Sequence, residues 1–175
     1  MRAFRTLGDA MLTDILLIAF AGLMVAAALS DAVRFTIPNW LCGVIIALFP
    51  LMALAAGIGW SDAGGHLLAG TVALVFGFAL FAPGWIGGGD AKLIAAAALW
   101  MGWTDLAAFA FHTALAGGAL VMLLLAARRM APVFDLPAGW VARTAIAEGA
   151  PVPYGIAIAA GALWTLPGSA FVSLL

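Results

Sequence analysis

The stretch "GWIGGGDAKLIAAAALW", Gly84 to Trp100, decides how this chain is to be read. Three glycines run straight into Asp90 and Lys92, and an apolar segment follows at once. Such charge at the lip of a greasy run needs a reason, because the chain otherwise avoids charge. Of its 175 residues only 9% are charged and 66% are apolar, and the mean hydropathy is +1.19. A soluble domain is about 25% charged and about 45–50% apolar. There is no glutamine, and asparagine (Asn39), lysine (Lys92) and glutamate (Glu148) each occur once. The bilayer is therefore the solvent. The strand-like alternation of a membrane barrel is absent, so the expected fold is all-α, a polytopic integral membrane protein of about six transmembrane helices.

Outward from that stretch, six apolar segments are legible: Ile15–Leu29, Trp40–Ile58, Leu67–Ala82, Ala91–Trp103, Leu106–Ala127 and Tyr154 to about Leu174. A span needs roughly 20 residues, so the fourth is short unless its helix starts near Trp85 and carries Asp90 into the membrane. Residues 1–175 read as one transmembrane domain, with loops at about 31–39, 83–90 and 128–153 on one face. Arg2 and Arg5 before an apolar run ending "AAALSD" imitate a signal peptide, but the first span is read as retained.

Several function classes drop out. A net charge of −1 offers nothing to nucleic acid. Cys42 is alone, so no internal disulfide and no paired-cysteine zinc site can form, and neither metal nor cofactor is expected. Cys42 reads as a small buried hydrophobe.

Counting crossings is more informative. Asp31 follows span one and Asp90 follows span three, so both lie on the same face of the membrane. If span four crosses, Arg128, Arg129 and Arg143 share that face with Arg34 and Lys92, which makes five of the seven basic residues. The positive-inside rule then makes the aspartate face cytoplasmic, although Arg2 and Arg5 argue the other way.

Each aspartate stands beside a backbone-shaping motif. In "SDAVRFTIPNW", Asp31 precedes Ile37-Pro38-Asn39 by a short loop, and Pro38 suits the first turn of a helix. At Gly87-Gly88-Gly89-Asp90 the glycines admit close approach of another backbone, here expected to be the substrate's. Each carboxylate also has a plain reading. Asp31 suits a solvated helix end, and Asp90 suits a helix start with Lys92 snorkelling to headgroups. Taken together they suit a paired-aspartate site for amide hydrolysis. Two close carboxylates do not both ionise easily, so they share a proton. One then activates water while the other polarises the carbonyl and later supplies a proton.

Aspartate followed by "IPN" at one span and "GGGDAKL" at another resembles the type IV prepilin peptidases, within the wider GxGD group of intramembrane aspartyl proteases. The segment "VPYGIAIAAGAL", Val152–Leu163, is similar to the family's C-terminal part. The resemblance implies that Asp31 and Asp90 are the catalytic dyad and that Gly87, Gly89 and Lys92 match the motif's glycines and lysine. Gly88, Arg34, Pro38 and Asn39 then shape the site or the substrate path. Implied partners are prepilin or pseudopilin substrates and the lipid bilayer. These substrates have a short basic leader, a glycine before the cut and an apolar helix, and are cut at the cytoplasmic face of a bacterial inner membrane. The cytosolic zinc-binding insert and N-methyltransferase activity of larger members find no counterpart, so the chain resembles the compact CpaA/TadV-like branch that serves Flp/Tad-type pili. The arginine common two residues after the first aspartate is Val33 here, with Arg34 following.

The remaining polar residues weigh less. His112 reads as a histidine bonded to a neighbouring helix, with a functional role as the alternative. His66 and Asp62 fall on the opposite face. Asp14 and Asp105 read as helix starts, and Asp135 and Glu148 share the aspartate face without motif context. Trp40, Trp85 and Trp103 read as interface anchors, and Gly117-Gly118 and Gly155–Gly161 as helix-packing surfaces. The rival functions are another GxGD protease, of preflagellin or signal-peptide-peptidase type, and a small transporter or membrane assembly subunit.

Overall fold

The structure is a computed structural model that describes residues 7–131, 133–134, 137–141, 143–169 and 171–172, so Arg2, Arg5 and Asp135 lie outside the described residues. All regular elements among them are helical: α1 (Leu7–Arg34), α2 (Asn39–Ala56), α3 (Trp60–Phe81), α4 (Gly88–Met130), α5 (Ala138–Val141) and α6 (Tyr154–Thr165), followed by a 3-10 turn at Leu166–Gly168. Four of these, α1 to α4, are long and apolar enough to cross a membrane. The expected six segments differ from this in two ways. Segments four and five are joined within α4, and α6 has only 12 residues.

As one straight rod, the 43 residues of α4 would run to roughly 65 Å, twice the hydrocarbon thickness of about 30 Å. It is not straight. Gly102, at φ 77 and ψ 177, breaks the helical path, and the chain doubles back there. The neighbours on either side show the reversal. Before the break, a Cβ on Gly77 would lie 3.1 Å from Ala91, and one on Gly70 would lie 3.2 Å from Leu99, so this leg runs antiparallel to α3. After it, His112 meets Thr165 and Gly117 lies against Tyr154 and Ala157, so the second leg runs antiparallel to α6. The expected boundary at Thr104-Asp105 falls two to three residues past the real one.

The first leg, Gly88 to Met101, is short because other helices surround it. Ala91, Leu93 and every residue from Ala95 to Met101 are buried, and a helix apolar all round belongs inside. Trp100 anchors its far end, stacked on Phe20 at 4.5 Å between centroids with its indole N–H donated to the Ile45 carbonyl at 2.9 Å. Buried tryptophan needs such a partner. His66 Nδ1 sits 2.9 Å from the Leu99 carbonyl, just before the break, and must be the protonated nitrogen because the carbonyl only accepts. A Cβ on residue 102 would lie 2.8 Å from the His66 ring, so only glycine suits both the φ angle and the space.

These contacts define two ends of the bundle. Asp31 meets Gly155 and shares a cavity with Gly89 at one, while Phe20, Trp100 and His66 cluster about 15 Å away at the other, by the rise of ten helical residues. His66 is therefore remote from the aspartates, as its side of the membrane predicted. Asp14 lies inside α1 instead of starting a helix, because α1 begins seven residues before it. His112 is bonded to the neighbouring helix, with Nδ1 2.9 Å from Thr165 Oγ1 and its ring stacked on Trp164. Trp40, Trp85 and Trp103 are all exposed, as anchors at the bilayer surface should be.

Candidate active site

Asp31 was expected in a loop but belongs to the last helical turn of α1, where it is buried. The helix stops just beyond it. Phe35 takes the left-handed conformation at φ 53, and its N–H bonds back to the Asp31 carbonyl at 2.8 Å. That is the usual way to end a helix, but glycine normally performs it, and a phenylalanine there is strained. The Ser30 hydroxyl donates to the Thr36 carbonyl at 2.9 Å and fixes the turn that leads into Ile37 and Pro38. Pro38 occupies the N-cap of α2, one position before the first turn, at φ −63 and ψ 135.

This turn lies against the start of α4. Ile37 is buried, and a Cβ on Gly89 would meet the Ile37 Cβ at 3.2 Å. Gly88 faces the Phe81 ring, and a Cβ on Gly87 would sit 2.9 Å from the Asp90 carboxylate. The room that the three glycines leave is thus taken by the protein's own atoms: a loop, a ring and a carboxylate. None of the three has a positive φ. They seat the first aspartate's loop against the second aspartate's helix.

Asp90 is the third residue of α4, and its Oδ2 accepts the Gly87 N–H at 3.2 Å. This is one half of a capping box, the other half needing a side chain that Gly87 lacks. Asp90 Oδ1 is buried with no hydrogen-bond partner among the described residues, which marks it as an acceptor that a further group must complete. Asp31 is held from a third direction. Its Oδ2 accepts the Gly155 N–H at 2.7 Å, and Gly155 is the second residue of α6. That amide has no partner within its own helix, so Asp31 caps α6 from across the bundle. Each carboxylate therefore sits at the positive end of a helix, Asp90 at α4 and Asp31 at α6.

Both aspartates line one open cavity of about 240 Å³, together with Phe35, Thr36, Ile37, Asn39 and Gly87 to Gly89. Lys92 joins at the rim, where its Nζ donates to Asn39 Oδ1 at 2.9 Å. Arg34 is exposed and does not line the cavity. Among the described residues, no three His, Cys, Asp or Glu side chains are placed to hold a metal ion. What the arrangement offers is two acid–base groups facing one space large enough for a short stretch of peptide.

Sequence reasoning treated Gly155 as helix packing and missed its contact with Asp31. A Cβ there would lie 2.9 Å from both Cβ and Oδ2 of Asp31, so glycine is what allows the approach. The only available signal was its place in "VPYG". Arg128 was read as a topology marker, yet its guanidinium also ties down the following loop through the Ala145 and Ala150 carbonyls at 2.7 to 3.1 Å.

No curated protein and no solved structure matches the chain. The type IV leader peptidase family matches residues 18–122, a stretch that contains Asp31, the loop to Asn39, the glycines, Asp90 and the Gly102 reversal. On that match, over more than half of its length, the chain belongs to the type IV leader peptidase family, as a multi-pass membrane protease.

Proposed function

We propose that this protein is an aspartyl endopeptidase that removes the leader from Flp/Tad-type prepilins, and that Asp31 and Asp90 are its catalytic pair. The observation that carries the reading is their placement on one cavity, each held by a backbone N–H from a different helix. Held carboxylates that share a space supply what amide hydrolysis needs: one ionised to take a proton from water, one protonated to polarise the carbonyl.

The cut lies at the cytoplasmic face of a bacterial inner membrane. Supporting this, Arg34 and Lys92 cluster at the aspartate end, and Arg128 and Arg129 lie at the end of a leg that runs back toward it. A substrate with an apolar helix in the bilayer would bring its leader junction to this depth. Gly87 to Gly89, Pro38 and Asn39 shape the cavity, and Lys92 stands at its rim through Asn39. Arg34, exposed outside it, is left to headgroups or the basic leader's surroundings.

The test is to co-express the protein with a candidate Flp-type prepilin and follow leader removal on a gel. Asp31→Asn and Asp90→Asn should each stop processing while the protein stays in the membrane. Processing by both variants would remove the pair from the mechanism.

A further inference from the structure

We infer that Asn39 is a third catalytic group, whose side-chain amide donates to the oxygen of the scissile carbonyl, and that Lys92 is the positioning residue that orients it. The inference rests on the peptidase reading above and goes beyond it.

Asn39 lines the cavity that holds both aspartates. An asparagine side chain has one accepting oxygen and one nitrogen with two N–H donors, and lysine has only donors. The 2.9 Å contact with Lys92 Nζ therefore fixes Oδ1 as the atom facing the lysine. The choice between the two amide orientations, often a matter of assignment, is settled here by chemistry. With Oδ1 engaged, Nδ2 is the free end, and it has no partner among the described residues. The rest of the cavity wall is poor in side-chain donors. Phe35, Ile37 and the glycines have none, and Thr36 has only its hydroxyl.

Hydrolysis by a carboxylate pair has a specific need for such a donor. The ionised carboxylate takes a proton from water, the water oxygen bonds to the carbonyl carbon, and the carbonyl π electrons move onto oxygen. When the intermediate collapses, the C=O re-forms, the C–N bond breaks and the departing nitrogen takes a proton from the carboxyl group. Between these steps the former carbonyl oxygen carries the negative charge, while the pair holds two protons, its own and the one taken from water, until the departing nitrogen removes one. A neutral N–H donor stabilises that oxygen without changing the charge of the pair. The ammonium on the far side of the amide polarises it and strengthens both N–H groups as donors.

The experiment uses the full-length protein in proteoliposomes. The probe is a synthetic peptide with a basic leader, a glycine at the cut and an apolar helix, together with the same peptide carrying a thioamide at the scissile bond. Asn39→Ala should lower kcat by about 10²- to 10³-fold with KM little changed, the usual loss for one oxyanion donor. Asn39→Asp keeps an acceptor for Lys92 but has no N–H, so at the optimum of its own pH profile it should be as slow as Asn39→Ala. Lys92→Met should lower kcat, by less than Asn39→Ala does, as expected for a donor weakened but not removed, and Lys92→Arg should recover most of it. Sulfur accepts hydrogen bonds poorly, so the thioamide should slow the wild type more than it slows Asn39→Ala. Near wild-type kcat in Asn39→Asp, or equal thioamide effects in both proteins, overturns the role of Asn39 and leaves a tether between helices. A wild type that leaves the peptide uncut, with Asp31→Asn and Asp90→Asn indistinguishable from it, overturns the peptidase reading itself and this role with it.

Discussion

The carboxylate of Asp31 and the backbone N–H of Gly155 are 2.7 Å apart, although 124 residues separate them in the chain. The contact makes α6 part of the site, since its first turn both holds the carboxylate and is capped by it. Gly155→Ala tests this directly. A Cβ would lie 2.9 Å from the carboxylate oxygen and must push it aside. A shift near 1 Å in a reacting group costs on the order of 10²-fold in rate. Leader removal should fall by that order while the amount of protein in the membrane holds. Gly118→Ala, where a Cβ meets nothing within 4 Å, is the control and should process normally.

The glycines before Asp90 should rank by what each one faces. At Gly89 the added Cβ would meet Ile37 at 3.2 Å, with the Ile37 backbone close behind at 3.5 Å. At Gly88 it would meet the edge of the Phe81 ring at 3.3 Å, and a ring can turn. Gly89→Ala should therefore reduce processing more than Gly88→Ala, by about tenfold against a few-fold, through a displaced loop between the two aspartates. Equal effects would mean that the glycines serve the substrate's backbone and not the protein's own loop.

How far the sequence carried depended on which kind of atom did the work. Side chains were legible. Asp31 and Asp90 were matched by counting crossings, and the structure sets both on one cavity. The membrane class followed from composition alone. Backbone contributions were not legible, because every residue has an N–H and nothing in "VPYG" says that the one at Gly155 faces an aspartate. The turn inside α4 was legible as a boundary, but two to three residues late, at Thr104-Asp105. Its true position was hidden because Met101-Gly102 is apolar and buried, and His66 from α3 supplies the hydrogen bond to the Leu99 carbonyl just before it. The purpose of the glycine run also needed coordinates, since close approach was readable but the approaching group was not.

Phe35 should respond in opposite directions to two substitutions. Its φ of 53 ends α1 and suits glycine, while a β-branched residue resists that region most. Phe35→Gly should be neutral for, or raise, thermal stability in detergent by up to about 1 kcal/mol, offset by the lost ring contacts. Phe35→Val should lower it by about 1–3 kcal/mol through backbone strain. Both remove the ring from the cavity wall, so a drop in processing common to the two would belong to the wall and not to the helix end.

Gly102 should matter for stability more than any glycine near the aspartates, although it lies at the other end of the bundle. Gly102→Ala places a Cβ-bearing residue at φ +77, which costs about 1–3 kcal/mol. The new carbon also lies 2.8 Å from the His66 ring, whose Nδ1 serves the Leu99 carbonyl. Displacing the ring leaves a buried carbonyl without its donor, a further loss of about 1–3 kcal/mol. His66→Ala alone should show that second loss. In His66→Ala/Gly102→Ala the clash is gone and the hydrogen bond is already lost. The double variant should then melt well above the sum of the two single effects, the non-additivity expected of side chains in contact. Simple additivity in a detergent melting series would mean that the histidine does not hold the turn. Because the first leg of α4 carries Asp90 at its other end, a loosened turn should also slow leader removal in proportion to the lost stability.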